Sequence, residues 1–188
     1  MNRTSVDHVY RTIRRELRFA VSYPDFTRAL ETLLGRINPV LLSEIASDSP
    51  ERARERLGSL VGPSGFALFQ KIDHGSMLKV LAGRNVPSMT YVVGNMLLGS
   101  EMTKHEPLVG LYLPSRVQVC ESETNGVVVS YDVPSVTLAQ FGSAPVDAAA
   151  TSHDARLEKL LDVAAVLAAK ARVQKVRTHF RVAEGGRR

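Results

Sequence analysis

The segment from Ser115 to Tyr131 constrains the fold of this chain more than any other. Ser115-Arg116-Val117-Gln118-Val119-Cys120 alternates apolar and polar residues, and Val127-Val128-Val129-Ser130-Tyr131 reads as a second strand. Alternation with a period of two sets one row of side chains on each face of a strand. Between the two runs lies Asn125-Gly126, the strongest short signal for a hairpin turn. The chain therefore contains an antiparallel ribbon.

Around the ribbon, strand and helix patterns interleave. Phe66–Ile72 and Met89–Val93 read as strands, as does the short apolar run Val40–Ile45. Ser49-Pro50-Glu51 is a helix start, because serine caps free N–H groups and proline suits the first turn. Short helices are expected at 76–81 and 97–105. Residues 142–150 read as a small-residue linker. Thr151 and Asp154 then form a capping box that opens a long helix to about Val176. Upstream, Val6, Val9, Tyr10, Ile13 and Leu17 share helical spacing behind a Thr4/Asp7 capping box. Phe26, Leu30, Leu33, Leu34 and Ile37 repeat that spacing. The expected fold is α+β: a small mixed or antiparallel sheet packed against helices, with an N-terminal helical pair and a long C-terminal helix. The expected organisation is a helical extension over 1–37, an α+β domain over 38–176 and a basic flexible tail over 177–188.

The net charge of +5 is a property of the ends. Residues 1–18 sum to +3 and 170–188 to +6, leaving 19–169 at −4. A nucleic-acid platform gathers cations and stacking aromatics on one face, and only 6% of residues here are aromatic. Nucleic acid is therefore not the expected partner. No apolar run reaches the length of a membrane span, and the N-terminus is too charged for a signal peptide. A single cysteine, Cys120, fits a reducing compartment, so the expected location is cytoplasmic.

Several chemistries lack their residues. The five histidines, His8, His74, His105, His153 and His179, share no metal-ligand spacing, and no metal is expected. The stretch 94–100 has two glycines but neither a P-loop ending nor a dinucleotide turn, so no cofactor is expected. Cys120 reads as an inert strand thiol rather than a nucleophile. Asp73-His74 is a different matter, because it stands where a strand ends and the chain turns, a position from which side chains reach a pocket. A carboxylate beside an imidazole suits acid-base work. Equally, Asp73 is placed to cap the following helix while His74 is half exposed. Arg116 stands among apolar strand residues, either paired with Asp132 or available to an anionic ligand.

The ordered motifs resemble the bacterial domain-of-unknown-function family numbered 302. They are Ile72-Asp73-His74, then Gly94-Asn95, Leu113-Pro114-Ser115-Arg116 and Ser130-Tyr131-Asp132-Val133-Pro134. Met96 stands where that family usually has proline. The resemblance covers about 38–170 and implies a compact α+β domain that tends to form homodimers. It also suggests one site: His74 as acid-base or hydrogen-bonding group, Asp73 orienting it, Arg116 countering charge, and Asn95, Tyr131 and Ser130 positioning a ligand. The expectation is a homodimer binding a small polar or anionic molecule. A cofactor-independent enzyme of isomerase, cyclase or lyase type is the first alternative. A regulatory or nucleic-acid-associated protein acting through basic termini is the second.

Overall fold

The computed structural model describes residues 3–185, with side chains described through Gln174. In chain order the elements are β1 (Arg14–Phe19), α1 (Tyr23–Leu33), β2 (Gly35–Arg36), α2 (Pro39–Ile45) and α3 (Pro50–Ser59). Next come β3 (Ala67–Asp73), α4 (His74–Ala82), β4 (Ser88–Gly94) and α5 (Met96–Thr103). A 3-10 helix over Pro107–Tyr112 leads to the hairpin strands β5 (Ser115–Glu121) and β6 (Val127–Asp132). Then follow α6 (Pro134–Leu138) and α7 (Ala144–Gly185). The fold is α+β, a six-stranded mixed sheet in the order β1-β6-β5-β4-β3-β2. Every pairing is antiparallel except the two-residue parallel match of β2 with β3.

The sheet is covered unequally. Val117 and Val119 of β5, Val127 and Val129 of β6, and Tyr91 and Val93 of β4 point to one face. They meet Phe26 and Leu30 of α1 and Leu157, Leu160, Leu161 and Ala164 of α7 in one core. Excluding these side chains from water is the main force holding the layers together. The opposite face carries Arg116, Gln118, Cys120 and Ser130, and α4 lies against β4 on the sheet.

Three expectations need correction. The helix expected from Val6 to Leu17 is not formed. Residues 3–13 have no regular structure, and Arg14–Phe19 is an edge strand on β6 with Leu17 opposite Val129. Val6 is 76% exposed and Val9 fully so, which shows why. An amphipathic helix needs a surface for its whole apolar stripe, whereas the strand packs Leu17 and Phe19 against the core and hydrogen-bonds to β6 along one side. Of the expected helical pair, only the second member, α1, forms.

Second, Val40–Ile45 is helical, not a strand. Asn38 caps it by accepting from the Leu41 N–H at 2.8 Å, and Pro39 occupies the first turn. This is the same start that opens α3, where Ser49 accepts from Arg52 N–H. Third, most of the supposed linker 142–150 is the first part of α7, which starts at Ala144, with Val146 and Ala150 wholly buried. Thr151 therefore lies inside the helix and donates to the Asp147 carbonyl rather than capping anything. The basic tail expected over 177–188 lies outside the residues whose side chains are described.

Candidate functional site

The first turn of α4 fixes the Asp73-His74 pair. Asp73 is the N-cap, accepting from the Ser76 N–H at 3.0 Å and from the Ser76 hydroxyl at 2.5 Å. Those two bonds hold its carboxyl below the usual range. His74 turns away from it: Nε2 shares a 2.9 Å hydrogen bond with Thr90 Oγ1. Thr90 in turn donates to Gln118, whose amide donates to Ser88 at 2.7 Å and to Cys120 Sγ at 3.4 Å. The pair thus sits at the edge of a polar ladder on the less covered sheet face. Both residues are exposed, and Asp73 does not hydrogen-bond the imidazole. The capping role weighed from sequence is the observed one.

The other end of β4 is built differently. Gly94 closes the strand where a side chain would be crowded, since a Cβ there would lie 3.0 Å from Pro114 Cβ. Asn95 follows as the N-cap of α5. Its carbonyl oxygen accepts from Leu97 N–H (2.9 Å) and Leu98 N–H (3.1 Å), and its amide donates to the Gly65 carbonyl at 2.8 Å. One side chain therefore starts the helix and ties it to the turn before β3. The Leu113–Pro114 peptide, which is cis, faces Gly94 from the start of β5.

Between these pieces lies a cavity of about 260 Å3. Phe69, Met96, Met102, Leu113 and Pro114 make its apolar wall, and Asn95, Ser100, Thr103 and His153 are its polar lining. Gly99 and Gly110 leave room that larger residues would fill. His153 comes from α7 and is 2% exposed. It shares a 2.8 Å hydrogen bond between Nε2 and Ser115 Oγ, and its ring meets Phe66 edge-on at 5.2 Å. Burial pushes its pKa below 6.5. The ring is neutral at pH 7 and is held between a serine hydroxyl and an aromatic face. Such a ring can give or take one directed hydrogen bond inside a largely apolar hollow.

The expected site residues do not converge. Only Asn95 lines the cavity. Arg116 is exposed in an adjoining cleft of about 100 Å3 with Asp132, sharing the Pro114 wall. Thr90, the partner of His74, is five residues from Asn95 along β4, roughly 16 Å at strand rise. Tyr131 points the opposite way from Arg116, buried under α7. Among the described residues its hydroxyl has no hydrogen-bond partner, and burial raises its pKa. Ser130 lies on the less covered face, in register with Gln118 and Glu16.

His153 was missed, although a signal for it exists. Val146, Ala150, His153 and Leu157 fall at i, i+4, i+7 and i+11, so the histidine continues the buried stripe of α7 once that helix begins at Ala144. Among the described residues no three His, Cys, Asp or Glu side chains group as a metal site. No described helix is long and apolar enough to cross a membrane.

A mixed sheet backed by a long helix, with a hollow at one end of its central strands, defines a compact α+β domain. Within that class the chain belongs to the family described as domain of unknown function DUF302, which it matches over residues 43–164. The matched span begins inside α2, so β1 and α1 stand outside it while contributing to the sheet and core. Among solved structures it is similar to an uncharacterised conserved DUF302 protein from Bacillus stearothermophilus. The TM-score is 0.57 at 15% identity, over 80% of this chain and 97% of that one. At that identity the likeness concerns the fold alone. No curated protein matches the chain.

Proposed function

We propose that the protein binds a small organic molecule in the cavity beside Asn95 and His153, and that it does so as a cytoplasmic homodimer. The observation that carries the binding reading is the preformed hollow of about 260 Å3 with one buried, neutral imidazole in an apolar lining. Desolvating the apolar walls provides affinity, and His153 with the other polar lining residues provides orientation. The volume lies at the small end of ligand pockets, which run from roughly 300 Å3 upward, so the body of the ligand is a short chain or one ring.

A filled cavity tests this directly. A Cβ at Gly99 meets only Leu113 Cδ1, at 3.8 Å, so Gly99→Leu enters the hollow without displacing backbone. Calorimetric titration with octanol should show binding to the natural chain and none to Gly99→Leu, with the variant's melting temperature retained or raised. Equal binding by both proteins would remove the cavity from consideration.

Support for the dimer comes from the thinly covered sheet face. Beside it, Ile72, Met77, Val80 and Leu81 are exposed, apolar side chains that a second copy would cover. Light scattering should give twice 20.6 kDa, and Met77→Glu with Val80→Glu should halve it. A natural chain that runs as a monomer at every concentration would end the dimer reading.

A further inference from the structure

We propose that the molecule held in the cavity is an amphipathic anion, with its apolar body in the hollow and its acidic head in a cationic groove between α3, α5 and α7. The inference rests on the cavity reading above and adds the charge of the occupant. Asn95 and Ser100 line both the hollow and an open groove of about 680 Å3, so the two spaces meet at the first turns of α5. The groove floor is apolar, made by Ala53 and Leu57 of α3 with Leu97 and Leu98 of α5. A chain leaving the hollow past Asn95 and Ser100 therefore meets this apolar floor before it reaches the rim.

The rim is charged, and its charges do not cancel. Lys104 is bonded to Glu101, which neutralises that pair. Arg54 exerts a weaker pull on the same carboxylate. Among the described residues, neither Arg54 nor Arg156 joins a hydrogen bond or an ion pair, and both side chains are exposed beside the groove. Two guanidinium groups thus face a shared space without a hydrogen-bonded or ion-paired carboxylate, in a central region that sums to −4. Among the described residues, some surface arginines find carboxylates, as Arg28 does with Asp25 and Arg56 with Asp48 and Glu44, and others, such as Arg36 and Arg84, do not; Arg54 and Arg156 are distinguished by sharing one groove. The planar fork of arginine matches a carboxylate or phosphate through two parallel bonds.

The geometry joins head to body. Arg156 stands three residues after His153 on α7, a rise of about 4.5 Å. One helix therefore supplies the imidazole lining the hollow and a guanidinium at its mouth. A neutral head forfeits the two guanidiniums, and a cationic head is repelled by them.

The test is calorimetric titration of the full chain with octanoate, octanol and octyltrimethylammonium, which share a tail and differ in charge. Octanoate should bind roughly tenfold tighter than octanol at low salt, and the cation most weakly. In the double variant Arg54→Gln, Arg156→Gln, octanoate should fall to the level of octanol while octanol is unchanged. Circular dichroism serves as the check that the fold is kept. If the three probes bind alike and Gly99→Leu blocks them all, the cavity stands and the acidic head is refuted. If no probe binds, or Gly99→Leu leaves binding intact, the cavity reading itself fails and the inference goes with it.

Discussion

Strand β4 joins two ends that look alike in sequence and differ in structure. At each, a strand meets a helix through a short polar side chain: Asp73 caps α4 beside the start of β4, and Asn95 caps α5 beyond its end. The first cap bonds only within its own turn, and α4 buries no residue. The second also reaches Gly65 across the fold, while α5 buries Met102 and closes over a hollow. A capping residue and its neighbours border a hollow only when a second layer encloses them. At the Asn95 end that layer is the 3-10 helix with α7, and at the Asp73 end none of the described elements provides it.

The contrast can be broken most severely where the enclosed end is most tightly packed. Phe66 is fully buried and supports the His153 ring, so Phe66→Ala should lower unfolding free energy by about 3–5 kcal/mol in urea titrations. His74→Ala at the open end removes one hydrogen bond, worth about 1 kcal/mol. Comparable losses would mean that the two ends are equally integrated.

Comparing the cap at the enclosed end with that baseline gives the next largest effect. Asn95→Ala removes both a helix cap and the bond to Gly65, together roughly 2 kcal/mol. Asn95→Asp keeps the cap but loses the amide donor, and should recover about half of that loss. Full recovery would show that the tie to Gly65 contributes nothing. Tyr131 gives a smaller effect of opposite sign. Its buried hydroxyl lacks a partner among the described residues, so Tyr131→Phe should leave stability unchanged or raise it by about 1 kcal/mol. A clear loss would reveal a role for the hydroxyl beyond packing.

Much of this architecture was legible in the chain. The Asn125-Gly126 hairpin, β3, β4 and α3 follow from local patterns that tertiary packing reinforces. The failures share a cause, which is that two periods fit one segment. Leu17 belongs to a helical set with Val6 and Ile13 and equally to a strand alternation with Phe19, and pairing with β6 decided between them. The small residues at 144–150 look like a linker because alanine carries little pattern, yet they let α7 pack closely. The site was less legible. Asn95 is reached only through the family resemblance, by its place in the Gly94-Asn95 motif, whereas His153 is separated from Ser115 by 38 positions and meets it only through the fold.

The smallest effects separate the two ends by pH, and here the sign and the window both matter. Burial depresses His153 below 6.5, so the unfolded chain takes up its proton before the folded one does. The stability contributed by the neutral ring is complete above about pH 6.5 and is lost as pH falls through the folded value. Asp73 is held below 3.8 by Ser76, which has the same sign but a lower window: its contribution is complete above about pH 3.8 and is lost beneath it. Melting temperature against pH should therefore fall in two limbs. His153→Gln, which keeps a partner for Ser115, should flatten the upper limb and leave the lower. Asp73→Asn should change only the lower limb, and only slightly, because that carboxylate is exposed and Glu101 is likewise held below its usual value by Lys104. An upper limb that persists in His153→Gln would mean that the cavity imidazole is solvated and that the enclosed end is as open to water as the other.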